Sequence, residues 1–314
     1  MADPLHTTSE VQASDDATLR TLAPGLYLVA TPIGNLGDIT MRALEVLRQA
    51  DRIACEDTRQ TQKLLNHFQI STPTLSCHEH NERHRAAELI ESIRQGGRVA
   101  MVSDAGMPGI SDPGSWLAAE AIAAGVPVIP IPGANAGLSA LIASGLPTGE
   151  FTFIGFLPEK AGARRTRLEE LAAEAGRTET VRTLIFYEAP HRILETLGDL
   201  ESVWGAEVRV VVARELTKLH EEFLRGTAAA VRAELASRDR VRGEICLLVE
   251  ARQTAAVQEN NTEKISEQVA RLKREENLDE KEALKKLARE LGRSKSDLYR
   301  ELQRERARGK GRQV

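Results

Sequence analysis

The chain has 314 residues, 41% apolar and 28% charged, with a net charge of −4, a length and composition that suit about two domains with sizeable cores. No apolar run approaches the roughly 20 residues a bilayer-spanning helix needs. The polar start Met1–Arg20 carries Glu10, Asp15 and Asp16 and lacks the basic and apolar stretches of a signal peptide, so a cytoplasmic protein with no membrane partner is expected. Cys55, Cys77 and Cys246 form no CxxC pair, which argues against a zinc knuckle or redox motif and for small buried hydrophobes in a reducing compartment.

Residues 1–22 are expected to be a disordered tail. From 23 to 147, short apolar runs alternate with amphipathic stretches. Strands are predicted at Gly25–Ala30, Arg52–Cys55, Thr74–Cys77, Arg98–Val102 and Val126–Ile131. Helical spacing lies between them, as at Met41–Ala50 with Leu44, Val46 and Leu47. That alternation predicts an α/β unit with a mostly parallel sheet covered on both faces. Gly145–Gly149 is a breaker cluster and a hinge candidate. A second α/β unit spans 148–251, with strands at Phe151–Phe156, Thr183–Tyr187, Val208–Ala213, Glu222–Arg225 and Glu244–Glu250 and helices near 164–174, 191–203 and 227–237. Trp116 and Trp204 fall in helical apolar patterns and read as core.

Residues 252–261 read as a linker, and 262–314 as a small helical module. Its second and third helices, Leu278–Leu291 and Lys295–Arg306, meet at Gly292-Arg293-Ser294, a helix-turn-helix pattern. Leu284, Leu287, Ala288, Leu291, Leu298 and Tyr299 are its predicted core. The module holds 16 Lys+Arg against 11 Asp+Glu, a net of +5, so residues 1–261 carry −9. A basic tail on an acidic body suits either a polyanionic partner or a solvated helical extension.

Three loops follow strand ends in the first unit, where open α/β sheets place ligands. They are Thr31–Asp38 (TPIGNLGD), Ser103–Gly114 (SDAGMPGISDPG) and Ile131–Gly137 (IPGANAG). Their small residues allow close backbone approach to a ligand. None is a dinucleotide fingerprint or a Walker loop, and Asp104 and Asp112 add carboxylates in place of phosphate-binding cations. The set suits a ligand of amino-acid and nucleoside character.

These loops belong to a longer series. LYLVATPIGNLGDIT (26–40), EDTR (56–59), HEHNE (78–82), SDAGMPGISDPG (103–114), PGANA (132–136), FTFIGFLP (151–158), FYEAPHR (186–192) and ELTKLHEE (215–222) occur in order. The chain thereby resembles the ribosomal RNA small subunit methyltransferase I family, within the tetrapyrrole-methylase superfamily. Met107 and Ala189 stand where that family more often has Thr and Ser. The resemblance implies two α/β domains of the tetrapyrrole-methylase fold with the active-site cleft between them. It implies S-adenosylmethionine-dependent 2′-O-methylation of a cytidine in the decoding region of 16S rRNA, with the small ribosomal subunit as partner, a homodimer, and no metal. The alternative is a tetrapyrrole-type small-molecule methyltransferase, against which the basic tail speaks.

The cofactor is then expected against Pro32, Ser103, Asp104, Ala105, Gly106, Ile110, Ser111, Pro132, Gly133, Ala134 and Tyr187. Glu56, Asp57 and Arg59 are the catalytic candidates, because a ribose hydroxyl is a poor acid and benefits from a proton acceptor. Asp57 reads equally as the N-cap of a helix over 58–67. His78, His80 and His84 offer a zinc-like spacing, but methyl transfer needs no metal, and hydrogen bonding or RNA contact is the reading preferred here. Lys160, Arg164, Arg165 and Arg167 form either a phosphate-neutralising patch or a solvated helix start.

Overall fold

The computed structural model describes residues 21–78, 80–177, 180–252, 265–276, 278–290, 295, 298–300 and 302–303. The expected tail before residue 21, the linker at 253–261 and the Gly292-Arg293-Ser294 turn lie outside the described residues.

One compact unit runs to Ser139 and takes in Glu215–Glu221. Its strands are β1 (Gly25–Val29), β2 (Arg52–Cys55), β3 (Thr74–Ser76), β4 (Arg98–Val102) and β5 (Val128–Ile131). They pair in the order β3-β2-β4-β1-β5, every pair parallel. A parallel sheet is buried on both faces, and the alternation within its strands shows which residue feeds which face. Tyr27, Val29, Ile53, Cys55, Ala100 and Val102 pack with Val46 and Leu47 of α1 (Met41–Gln49) and Leu65 of α2 (Thr58–His67). Leu26, Ala54, Val99 and Met101 pack with Leu89, Ile90 and Ile93 of α3 (Glu82–Arg94) and Leu117 and Ala121 of α4 (Ser115–Ala123). Each helix thus begins at the carboxyl edge of the sheet and runs back beneath it.

After α5 (Ala136–Ser144), the second unit contains β6 (Phe151–Phe156), α6 (Ala161–Ala175), β7 (Arg182–Glu188), α7 (Ile193–Trp204), β8 (Arg209–Arg214), β9 (Glu222–Thr227), α8 (Ala228–Ala236) and β10 (Ile245–Ala251). Its sheet order is β6-β7-β10-β8-β9; β6 and β7 are parallel and the other pairs antiparallel. Leu184, Phe186, Val210, Val212, Leu247 and Val249 face α6, α7 and α8, and Trp204 is 5% exposed in this core, as expected.

The basic run at the start of α6 is less available than its charge suggests. Arg164 is 1% exposed. Its Nε donates to Asp199 Oδ2 at 2.8 Å and its Nη2 to Glu195 Oε2 at 3.1 Å, while Arg165 donates to the other Asp199 oxygen at 3.1 Å. Arg164 therefore ties α6 to α7 and cannot reach a phosphate. Removing one partner of a buried pair strands the other charge. Arg164→Ala should accordingly lower unfolding free energy by about 3 kcal/mol in denaturant titration, whereas Arg167→Ala, on an exposed pair with Glu170, should cost under about 1 kcal/mol.

The helical module has its own core. α9 (Ile265–Glu275) and α10 (Glu280–Glu290) contribute Ile265, Val269, Leu272, Ala283, Leu284 and Leu287, joined by Leu298 and Leu302. Tyr299 departs from expectation: it is 49% exposed, and Leu302, one helical turn beyond Leu298, is buried in the core.

Candidate functional site

The three small-residue loops lie at the carboxyl ends of β1, β4 and β5, which are neighbours in the sheet. Backbone hydrogen bonds stitch the first two together. The Thr31 amide donates to the Gly106 carbonyl at 2.8 Å and the Gly106 amide to the Thr31 carbonyl at 3.1 Å. Thr31 Oγ1 donates to the Ser103 carbonyl at 3.2 Å. Gly106 has φ +79°, and a Cβ there would meet Ile33 Cγ2 at 3.4 Å. Gly133 packs against β1 so tightly that a Cβ would stand 2.8 Å from Ala30 Cβ. Ser111 holds a φ of 61°, a left-handed conformation that costs a non-glycine residue energy and marks segments held for a purpose.

The second loop is anchored by a residue that sequence reasoning passed over. Glu82, 7% exposed at the start of α3, accepts from the Gly114 and Leu117 amides at 3.0 Å each. A carboxylate at a helix N-terminus satisfies orphan donors and complements the dipole. The signal was available in HEHNE, but it pointed to the histidines. His78 and His80 rings lie 5.9 Å apart, and among the described residues no three His, Cys, Asp or Glu side chains gather as metal ligands.

Carboxylates collect where β2 and β4 end. The Asp57 amide donates to Asp104 Oδ1 at 3.2 Å. Burial pushes the Asp112 carboxyl up to about 6; the charges of Glu56 and Asp104 push the same way and a Ser103 hydrogen bond opposes them. Asp57 is the N-cap of α2: its Oδ1 accepts from the Arg59 amide at 2.8 Å, and its Oδ2 accepts from Arg59 Nη2 at 3.0 Å. Those hydrogen bonds, the Arg59 guanidinium first, hold its carboxyl below the ordinary range. Asp57 thus caps the helix, as one of its two readings has it, and its amide lies against the acidic cluster. Arg59 also lines a polar groove of about 430 Å³ with Thr58, Gln62, Lys63, Asn66 and Thr74.

The segment Glu215–Glu221, which connects β8 to β9, belongs to this unit and lies over the first loop. A Cβ on Gly34 would run into Lys218 Cγ. Lys218 Nζ pairs with Glu215 at 2.9 Å, the Thr217 amide donates to Glu221 at 2.6 Å, and Glu215 and Thr217 both have positive φ. Gly34→Ala should therefore lower the thermal midpoint by the equivalent of about 1–3 kcal/mol of overpacking. Adding Lys218→Ala should restore most of it; a double variant as unstable as the single would show that Lys218 is not what fills the space.

Tyr187, the cofactor candidate on β7, lies in the second unit, its ring 5.1 Å from Phe153 and 5.8 Å from Phe156. Trp116, expected in the core, is instead 42% exposed, with the Arg83 guanidinium 4.8 Å from its ring centroid. In the first turn of α4 it is Leu117 that points inward.

Small-residue loops at adjacent parallel strand ends, with carboxylates beside them, sit in a chain that matches the tetrapyrrole (corrin/porphyrin) methylases over residues 25–232. It is 55% identical over 225 residues to a ribosomal RNA small subunit methyltransferase I from Halalkalibacterium halodurans, covering 72% of this chain and 75% of that one. It is 53% identical over 224 residues to the protein of that name from Synechocystis sp., covering 71% and 78%. A solved cobalt precorrin-4 methyltransferase of cobalamin biosynthesis matches with a TM-score of 0.51 at 18% identity, over 71% of this chain and 93% of that one, a likeness of fold alone. The chain belongs to the tetrapyrrole-methylase family and, within it, to the ribosomal RNA small subunit methyltransferases I.

Proposed function

We propose that this chain transfers a methyl group from S-adenosylmethionine to a cytidine ribose 2′-hydroxyl in the decoding region of 16S rRNA, as a homodimer acting on the small ribosomal subunit in the cytoplasm. The observation that carries the reading is the convergence of three small-residue loops and the Glu56, Asp104 and Asp112 carboxylates at one sheet edge. The relatives' shared name supports the substrate class.

The residues fit the methyl donor on chemical grounds. Asp104, Ala105, Pro132, Gly133 and Ala134 leave backbone at the surface beside β1, with Pro32, Ile110 and Ser111 around them, while Ser103 and Gly106 are buried and brace the loop through Thr31. Burial first, and the Glu56 and Asp104 charges after it, disfavour the ionised Asp112, and a cationic ligand would offset the charge part. S-adenosylmethionine supplies a methyl already activated by a positive sulfonium. What remains for the protein is alignment of the hydroxyl and removal of its proton. With the donor bound, its methyl would pass from sulfur to the hydroxyl oxygen, leaving a neutral thioether, and the hydroxyl proton would pass to a carboxylate. Asp57 is a poor acceptor because Arg59 stabilises its charge. We assign proton acceptance to Asp112 together with Glu56, and orientation of the substrate to Asp57 and Arg59.

Mass mapping of ribose methylation in rRNA from cells lacking the protein tests the reading. A 2′-O-methylcytidine should disappear from 16S rRNA and return on complementation. An unchanged methylation map would overturn it.

A further inference from the structure

We propose that Trp116, with the Arg83 guanidinium laid against it, is a stacking platform for an unpaired base of the RNA next to the target nucleotide. This rests on the rRNA reading above and assigns a specific contact within it.

The argument begins with what the indole does not do. The chain has two tryptophans. Trp204 is 5% exposed within the second unit's core, whereas Trp116 is 42% exposed, beside Leu117, which is completely buried. The helix packs without it, so its large apolar surface is left to water at a cost that packing does not offset.

Its position gives that surface a use. Trp116 stands in the first turn of α4, directly after the Ser103–Gly114 loop, and Arg83 in the first turn of α3, directly after HEHNE. Both helices start at the carboxyl edge of the sheet, the edge that bears the small-residue loops and the acidic cluster. Glu82 joins the two helix starts by accepting from Gly114 and Leu117. The two helix starts are therefore joined before any ligand arrives, with the Arg83 guanidinium 4.8 Å from the Trp116 ring centroid, which lowers the ordering cost of binding.

Its chemistry gives the ligand class. Unpaired RNA bases are bound by stacking on aromatic rings and on guanidinium planes. A Trp–Arg pair offers both, with a positive charge for the adjoining phosphate. Arg85 is tied to Glu88 at 2.7 Å, but among the described residues no carboxylate pairs with Arg83. The acidic cluster alone would repel a phosphate backbone; Arg83 offsets that repulsion at the rim of the site.

The two tryptophans also supply the probe. The full-length protein is titrated with unmethylated small subunits and with a single-stranded cytidine-containing oligonucleotide, following tryptophan emission and affinity. Stacking should quench the solvent-exposed emission of Trp116 and leave that of buried Trp204. Trp116→Ala should remove the quench and weaken RNA binding about 5- to 150-fold, the span of base–aromatic stacking. Trp116→Phe should recover part of the affinity, and Arg83→Gln should weaken binding less than Trp116→Ala. S-adenosylmethionine affinity, measured by calorimetry, should be unchanged in all three. Wild-type titration without quenching, or a Trp116→Ala protein that binds RNA like wild type, would overturn the platform. Wild-type methylation of the subunits, assayed in parallel, separates that failure from failure of the rRNA reading.

Discussion

Asp112→Asn is expected to lower the rate of methyl transfer by about 10²–10⁴-fold, the usual contribution of a positioned acid–base group, while making the folded protein more stable at neutral pH. The two effects share a cause. Burial, with Glu56 and Asp104 close by, raises the Asp112 carboxyl to about 6 in the folded chain, from an ordinary value of 3.8. A folded-state value above the unfolded one means that folding favours the protonated form. The associated stability is fully present below pH 4 and is lost as pH rises through about 6. The neutral amide escapes that loss, so the variant should match wild type at pH 4 and exceed it at pH 8. Two units correspond to roughly 3 kcal/mol at full effect, and solvent access at the cluster reduces this to about 1–2 kcal/mol. Wild-type kcat/KM should rise as pH passes through about 6, because only the ionised carboxylate accepts a proton and kcat/KM reports the unliganded protein, and that rise should be missing in the variant. Asp57→Asn is the contrast. Asparagine keeps the capping oxygen and loses the charge that orients Arg59, so its effect on turnover should be much smaller. An Asp112→Asn enzyme with wild-type kcat and pH profile would return the proton to another carboxylate.

The elements and residues legible in the sequence were those whose cause is local. β2, β4 and β6 occupy the predicted residues because their apolar runs end at polar or breaker residues. The Asp57 cap and the three loops were legible because a helix start and a tight turn each carry a signature within a few positions. What the sequence could not show depends on partners far along the chain. Arg164 looked like one of four equivalent cations; only Asp199, 35 residues later, makes it a buried brace. Trp116 followed a helical pattern, yet Leu117 takes the inward position because Glu82, from another helix, fixes where α4 begins. The ELTKLHEE segment was visible as a motif, but its place over Gly34 spans more than 180 residues of sequence separation and has no local signature.

A chain ending at Arg252 should keep S-adenosylmethionine affinity and bind small subunits far more weakly, with a shallower dependence on salt. Among the described residues, the cores of both α/β units contain nothing beyond Ala251, and the helical module has a core of its own from Ile265 to Leu302. Removing it should leave the methylase fold and its site intact. The module carries 16 of the chain's 42 basic residues. Arg271, Lys273, Arg274, Lys281 and Lys285 are exposed along α9 and α10, while Lys286 is engaged with Glu276. Each phosphate neutralised adds about 0.7–0.9 to the slope of log affinity against log salt, so six contacts amount to roughly 10³-fold in affinity between 50 and 200 mM salt. Loss of the module should remove that share of both slope and affinity. A full-length protein with Arg271, Lys273 and Arg274 changed to Gln should fall between the two, since α9 keeps its buried Ile265, Val269 and Leu272. If the helices served self-association instead, truncation would alter the sedimentation profile and leave the salt slope as it was. The charge-neutral variant would then bind subunits like wild type, because nothing in the apolar face of α9 depends on those cations. Equal salt slopes for the full-length and truncated chains would therefore remove the module from RNA binding and leave substrate capture to the methylase units.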